Sequence, residues 1–245
     1  MRRNSRHRPS RLLAVALVLL GLESVVPIQS ATSDPSLIGK AVFLDPGHSG
    51  VNDSSITRQV PNGRDGTKDC QTTGTSTNDG YAEHSFNWDV ALRVRDTLEG
   101  LGIRTQLSRD SDSGVGPCVD QRAAEANAMQ PDAIVSIHAD GGPPDGRGFH
   151  VIFSAPPLND VQAGPSIDFA TTMRDALRGN GLNASNYIGQ QGLMDRSDLA
   201  GLNLYRYPGV LVELGNMRNA LDASQMETPE GRASYASAVV DGIVD

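Results

Sequence analysis

Four residues of this chain have side chains suited to hydrolytic metal chemistry: His48, Glu83, His138 and Glu213. Three of them close an apolar run. His48 follows Ala41-Val42-Phe43-Leu44-Asp45-Pro46-Gly47, His138 follows Ala133-Ile134-Val135-Ser136-Ile137, and Glu213 follows Gly209-Val210-Leu211-Val212. In an open α/β sheet, ligands and chemistry collect at the carboxyl ends of the strands, so three such residues at strand ends are expected to converge. Two histidines and a carboxylate form the three-ligand set of a catalytic zinc site, with a fourth position left for water. Glu213 is then the carboxylate that takes and returns a proton.

Each residue also has a plainer role open to it. His48 can serve a loop after Asp-Pro-Gly, Glu83 can sit in the first turn of a helix to complement its dipole, and His138 can be a core histidine. Glu213 is harder to place that way, because a carboxylate directly after Val-Leu-Val is costly to bury without a cation or donors. His84 and His150 are expected to point elsewhere. The compact HExxH spacing is absent, so spacing alone does not identify zinc.

The elements that must position these residues can be read from periodicity. Buried strands are expected to end at Leu44, His138 and Glu213, with further strands over 103–107 and 148–153. Phe86, Val90, Val94 and Leu98 recur every fourth residue and predict a helix from about Tyr81, with Asn78 or Asp79 available to cap it. Other helices are expected over 119–130, stopped by Pro131, over 166–178, and from Thr228-Pro229-Glu230 onward. A helical turn is expected over 195–204. Buried strands alternating with helices predict an α/β fold: a mainly parallel twisted sheet with helices on both faces, in a single domain. Residues 49–80, rich in Gly, Asp, Asn, Ser and Thr, read as a long functional loop.

Residues 1–31 are expected to be a signal peptide. Arg2, Arg3, Arg6, Arg8 and Arg11 precede a short apolar run, Leu12 to Leu20. Residues 32–39 read as a linker and 40–245 as the catalytic domain. Removing residues 1–31 takes five Arg and one Glu from totals of 21 basic and 29 acidic residues, leaving 16 against 28. So acidic a domain is not expected to hold nucleic acid by phosphate neutralisation, nor to stay inserted in a membrane after processing. Cys70 and Cys118 are an even pair in an exported chain, which predicts one disulfide.

Val42-Phe43-Leu44-Asp45-Pro46-Gly47-His48-Ser49-Gly50 resembles the metal-binding first strand of the zinc-dependent N-acetylmuramoyl-L-alanine amidases of the Amidase_3 type. Ser136-Ile137-His138-Ala139-Asp140 is similar to their second histidine motif, which usually ends in Asn. Leu107-Ser108-Arg109-Asp110 with Arg122, Ala126 and Asn127 resembles their strand-turn-helix segment, and Pro208 to Gly215 their catalytic-glutamate strand. The resemblance runs from about Lys40 to the C-terminus. It implies a Zn2+ cofactor held by His48, Glu83 and His138, and Glu213 as catalytic carboxylate. It also implies cleavage of the amide between N-acetylmuramic acid and L-alanine in peptidoglycan or muropeptide fragments; with the N-terminal signal, the chain is expected to be a monomer exported to the periplasm or cell-wall space. Arg122 is an expected contact for an anionic substrate group. Asn216 stands where the family commonly has an aromatic residue after the Glu-x-Gly, a departure that leaves one wall of the family's substrate groove unassigned. A zinc peptidase cutting within the stem peptide, or a non-catalytic wall-binding or regulatory module, are the competing readings.

Overall fold

Period-two alternation in the central strands divides the apolar side chains of residues 41–46, 133–140 and 209–216 between two faces of one sheet. In the computed structural model, which describes Met1 and residues 35–245, that division organises the unit 33–245. The expected signal peptide over residues 1–31 and the first residues of the linker lie outside the described residues, apart from Met1. Among the described residues no helix is long and apolar enough to cross a membrane.

The elements run β1 (Ala41–Pro46), β2 (Gln59–Pro61), β3 (Thr67–Asp69), α1 (Glu83–Gly100), β4 (Arg104–Leu107), α2 (Val119–Met129), β5 (Ala133–Asp140), β6 (His150–Ser154), α3 (Asp160–Ala163), α4 (Pro165–Gly179), β7 (Leu193–Arg196), α5 (Ala200–Leu204), β8 (Gly209–Asn216), α6 (Ala220–Met226) and α7 (Pro229–Val244). The sheet order is β4-β1-β5-β8-β6-β7. β4, β1, β5 and β8 are mutually parallel, β6 runs antiparallel to β8, and β7 is parallel to β6. The fold is therefore α/β with a mostly parallel sheet, as expected.

On one face, Val42, Leu44, Val135, Ile137, Val210 and Val212 pack against α1, α4 and α7. On the other, Phe43, Ile134, Ile152 and Leu211 meet Ala123 and Ala126 of α2, Leu202 of α5 and Tyr205. Burial of one such Leu, Ile or Phe side chain is worth about 1.5–3 kcal/mol. The same alternation carries Asp45, Ser136, His138 and Glu213 onto the second, thinner face.

The helix starting at Glu83 takes no side-chain cap from Asn78 or Asp79; its N-cap is Ala82, and Glu83 itself turns inward. Residues 195–204 are not one helical turn. Leu193–Arg196 is an edge strand pairing with residues 151–154, and only Ala200–Leu204 is helical. Four residues are too few for period two to stand out. The polar stretch 49–80 holds a 3-10 turn at Ser54–Thr57 and the β2-β3 hairpin, each also too short to leave a periodic signal.

Cys70, just past β3, is bonded to Cys118 at the start of α2. The bridge lies with Val60 and Val119 in a small apolar cluster of its own, tying the hairpin to the body of the domain. Closing a loop across a sequence separation of 48 residues is worth about 4 kcal/mol in the chain-entropy model, and native disulfides typically deliver about 2–4 kcal/mol. Replacing both cysteines by Ser should lower the unfolding free energy by about that amount in guanidinium titrations; an unchanged midpoint would show that the bridge does not constrain the unfolded chain.

Candidate metal centre

At the carboxyl end of β1 the chain leaves the sheet through Pro46 and Gly47, and His48 adopts φ of 63°. A left-handed conformation costs a non-glycine residue about 1–2 kcal/mol, so something must hold it there. That something is Arg122. Its guanidinium, 1% exposed, donates to the carbonyls of Pro46 (2.9 Å), His48 (2.7 Å) and Pro117 (3.0 Å) and to Asp45 Oδ1 (2.9 Å). Asp45 also accepts from the hydroxyls of Ser108 (2.6 Å) and Ser136 (2.9 Å). Burial alone would raise the Asp45 pKa, but Arg122 and the Ser108 hydroxyl hold it below the ordinary carboxylate value. Arg109 adds a second inward guanidinium, donating to Pro46 O at 3.1 Å and His84 O at 2.7 Å.

His48 Nδ1 donates to Thr72 O at 2.8 Å, which leaves Nε2 facing Glu83 Oε1 at 3.0 Å. His138 Nδ1 lies 3.0 Å from the same oxygen. Glu83 reaches over the ends of β1 and β5, where its carboxylate also accepts from the backbone N–H of Thr75 (2.8 Å) and Ala139 (3.3 Å). The potential ligand atoms of His48, Glu83 and His138 lie within 4.8 Å of one another. Burial pushes the Glu83 pKa up, yet the hydrogen bonds and charges of the two histidines win and hold it well below the carboxylate range. Burial likewise opposes protonation of His48, and Glu83 outweighs it, so its pKa is raised.

Two glycines make room for this packing. A Cβ on Gly47 would fall 2.1 Å from the His138 ring, and one on Gly74, at φ of 76°, would meet Glu83 and His48 at 2.9 Å.

Glu213 stands directly across from His138 in the β5-β8 register. Its Oε2 is buried with no hydrogen-bond partner among the described residues. Burial raises its pKa well above the usual value, and the negative charges of Glu83 and Asp140 raise it further, with Arg196 only partly opposing. The other neighbour of Glu213 is His150 on β6, whose buried Nδ1 is also unpartnered. Burial pulls the pKa of His150 down to about 4, so it is neutral near pH 7. Tyr187 packs edge-on against His150 and donates its hydroxyl to Asp140 at 2.7 Å.

The structure thus brings His48, Glu83 and His138 together, with Glu213 beside His138. Arg122, expected as a contact for an anionic substrate group, is 1% exposed, and its three guanidinium nitrogens already donate to Pro117 O, Asp45, Pro46 O and His48 O. Asn216 replaces the family's aromatic residue with an internal anchor. It is fully buried and its amide donates to Pro143 O and Gly146 O, pinning the loop after β5. His84 bonds Asp112 at 2.8 Å, away from the cluster. Tyr187 had no signal in the sequence, lying in an aperiodic loop far along the chain. A cleft of about 850 Å3 beside β4 and Trp88 contains none of the four residues; a smaller cavity of about 100 Å3 adjoins His48 and His138.

Residues 42–245 match the family model for N-acetylmuramoyl-L-alanine amidase, Amidase_3. The chain is similar to the N-acetylmuramoyl-L-alanine amidase Rv3717 of Mycobacterium tuberculosis, 61% identical and covering 88% of this chain and 90% of that protein. It is similar in structure to the N-acetylmuramyl-L-alanine amidase Ami1 of Mycobacterium smegmatis, with a TM-score of 0.84 at 62% identity over 85% of this chain and 96% of that one. The apo form of Ami1 from Mycobacterium abscessus gives a TM-score of 0.84 at 58% identity over 84% and 98%.

Removing one partner of a buried, hydrogen-bonded ion pair costs about 3–5 kcal/mol, because the other charge stays buried. Arg122→Ala should therefore lose about that much stability. The depressed Asp45 pKa adds a pH signature: its contribution is fully present above the unfolded carboxyl value of about 3.9 and is lost as pH falls through the lower folded value. Denaturation of wild type and Asp45→Asn from pH 6 down to pH 2 checks this; curves that stay parallel across the acid range would contradict the assignment.

Proposed function

The chain belongs to the Amidase_3 family of N-acetylmuramoyl-L-alanine amidases, and from that premise we propose that it hydrolyses peptidoglycan with a zinc ion held by His48, Glu83 and His138 and with Glu213 as the proton-transferring carboxylate. The amidase activity rests on the family and on relatives above 60% identity. The observation that carries the metal and the mechanism is the convergence of two histidine nitrogens on one buried carboxylate oxygen, next to Glu213, whose buried Oε2 has no hydrogen-bond partner among the described residues.

The donors fit zinc. Two imidazoles and one carboxylate are a common catalytic set, and Thr72 O fixes the His48 tautomer with Nε2 available, the outer-shell arrangement expected of a metal-ligating histidine. When bound, the ion would polarise the scissile carbonyl and lower the pKa of water toward neutrality. Glu213 takes a proton from the attacking water as the C–O bond forms, then delivers it to the amide nitrogen as the C–N bond breaks, releasing the stem peptide with a free amine. A carboxylate whose proton affinity is raised by burial suits both halves of that transfer. The lactyl carboxylate stays on the glycan.

The substrate is peptidoglycan or muropeptide fragments, which places the chain's work outside the cytoplasm; the basic-apolar leader over residues 1–31 supports export to the periplasm or cell-wall space. A peptidase acting within the stem peptide would use the same four residues, and is disfavoured by the family alone. A purely binding module has no use for Glu213.

Metal binding and turnover should separate. Glu213→Ala should abolish release of peptide from purified muropeptides while the protein keeps its zinc; His138→Ala should lose the zinc itself. Elemental analysis of the two variants beside mass spectrometry of the digests decides it, and a metal-free Glu213→Ala with a fully loaded His138→Ala would reverse the roles.

A further inference from the structure

The small cavity beside the metal cluster carries a cation that nothing in the fold uses. His48, His138, Thr72, Leu199 and Leu202 line it, and Lys68 of β3 closes one side. Alternation in β3 turns Thr67 and Asp69 to solvent and Lys68 inward, so that it is half-buried opposite Val60. Val60 is held by the Cys70–Cys118 cluster, so the strand that presents Lys68 is fixed in place two residues from the disulfide. Yet among the described residues the Lys68 ammonium has no hydrogen bond, and no carboxylate lies within the 4.0 Å of an ion pair. The other cations nearby are spent: Arg122 on Asp45 and three backbone carbonyls, Arg196 on Asp198.

Withdrawing an ammonium from water without a partner is unfavourable, and burial does lower the Lys68 pKa, with Asp198 and Asp69 opposing that shift from a distance. A ligand anion would remove the cost. The rest of the cavity fits such a ligand: about 100 Å3, walled largely by Leu199, Leu202, Tyr205 and Leu211, it takes a small substituent and leaves a charged group at its Lys68 side. In a chain of net charge −8, an inward lysine beside the reaction centre also supplies the local attraction that an anionic substrate needs.

We propose that Lys68 is a specificity-determining residue that receives a stem-peptide carboxylate, the one nearest the scissile amide, carried by the residue that follows L-alanine. This rests on the amidase reading above and adds a substrate preference to it. A peptide with a free carboxylate at that position binds more tightly than its carboxamide isostere, because the ammonium then meets an ionised acceptor, adding the attraction of opposite charges to the hydrogen bond it would give either group.

The test compares muramoyl-peptides bearing either the carboxylate or the carboxamide at that residue. Wild type should show a KM about tenfold lower for the carboxylate, with kcat little different. Lys68→Ala should collapse that ratio to near one, Lys68→Glu should reverse it, and Lys68→Arg should keep most of it. Calorimetric binding of the same pair to Glu213→Ala protein, with and without Lys68→Ala, reads the preference without turnover. A carboxylate preference that survives Lys68→Ala, or no preference in the wild type, overturns the proposal. If wild type cleaves neither compound the amidase reading fails instead, and the binding measurement still decides Lys68.

Discussion

The Arg122–Asp45 pair is the interaction on which the site depends. Arg122 is the largest fully buried side chain among the described residues, and its guanidinium bridges a carboxylate on β1 to the carbonyls of the loop that leaves β1. A guanidinium in the interior is tolerable only when its donors are paired. Here the pairing partners are the backbone atoms that set the direction of His48. The cost of burying the charge is thereby converted into a fixed loop, and the left-handed turn at His48 persists because the hydrogen bonds from Arg122 to Pro46 O and His48 O over-determine it. Ser108 and Ser136 complete the Asp45 oxygens from β4's end and from β5, so the pair also locks three strands at their functional ends.

Around that frame, the cluster of His48, Glu83 and His138 is assembled from four separate stretches of chain. β1's loop gives His48, α1's first residue gives Glu83, β5 gives His138, and the polar segment 49–80 supplies Thr72 O, Thr75 N and the small Gly74 that lets them approach. Glu83 and Glu213 divide two electrostatic roles between them. Glu83 is surrounded by donors and held ionised, while the buried Oε2 of Glu213 has no donor among the described residues and the group holds its proton more firmly. Two carboxylates pushed in opposite directions by their surroundings are what ligand and proton carrier respectively require.

Much of this was legible in the sequence because the strands are buried. Val42 to Leu44, Ala133 to Ile137 and Gly209 to Val212 are continuous apolar runs, and a polar residue at the end of each stands out against them. Glu83 was legible through the helix that begins with it. The burial of Arg122 is not legible locally: on α2 it has the spacing of a surface residue, and only the fold turns its face of the helix toward the loop of β1. The role of Asn216 was obscure for the same reason, since its partners Pro143 and Gly146 lie about seventy residues earlier. Hairpin β2-β3, with Lys68 on it, left no signal because three-residue strands in a polar stretch have no period to detect. Contacts across long sequence separations, rather than local pattern, carry what was missed.

The central claim is that His48, Glu83 and His138 form one zinc site of mixed nitrogen and oxygen donors. X-ray absorption at the zinc edge of the purified protein measures that donor set directly. The account predicts a shell of nitrogen and oxygen at about 2.0–2.2 Å with the outer-shell scattering of two imidazoles. Sulfur at about 2.3 Å, a shell without imidazole, or protein that binds no zinc would contradict it.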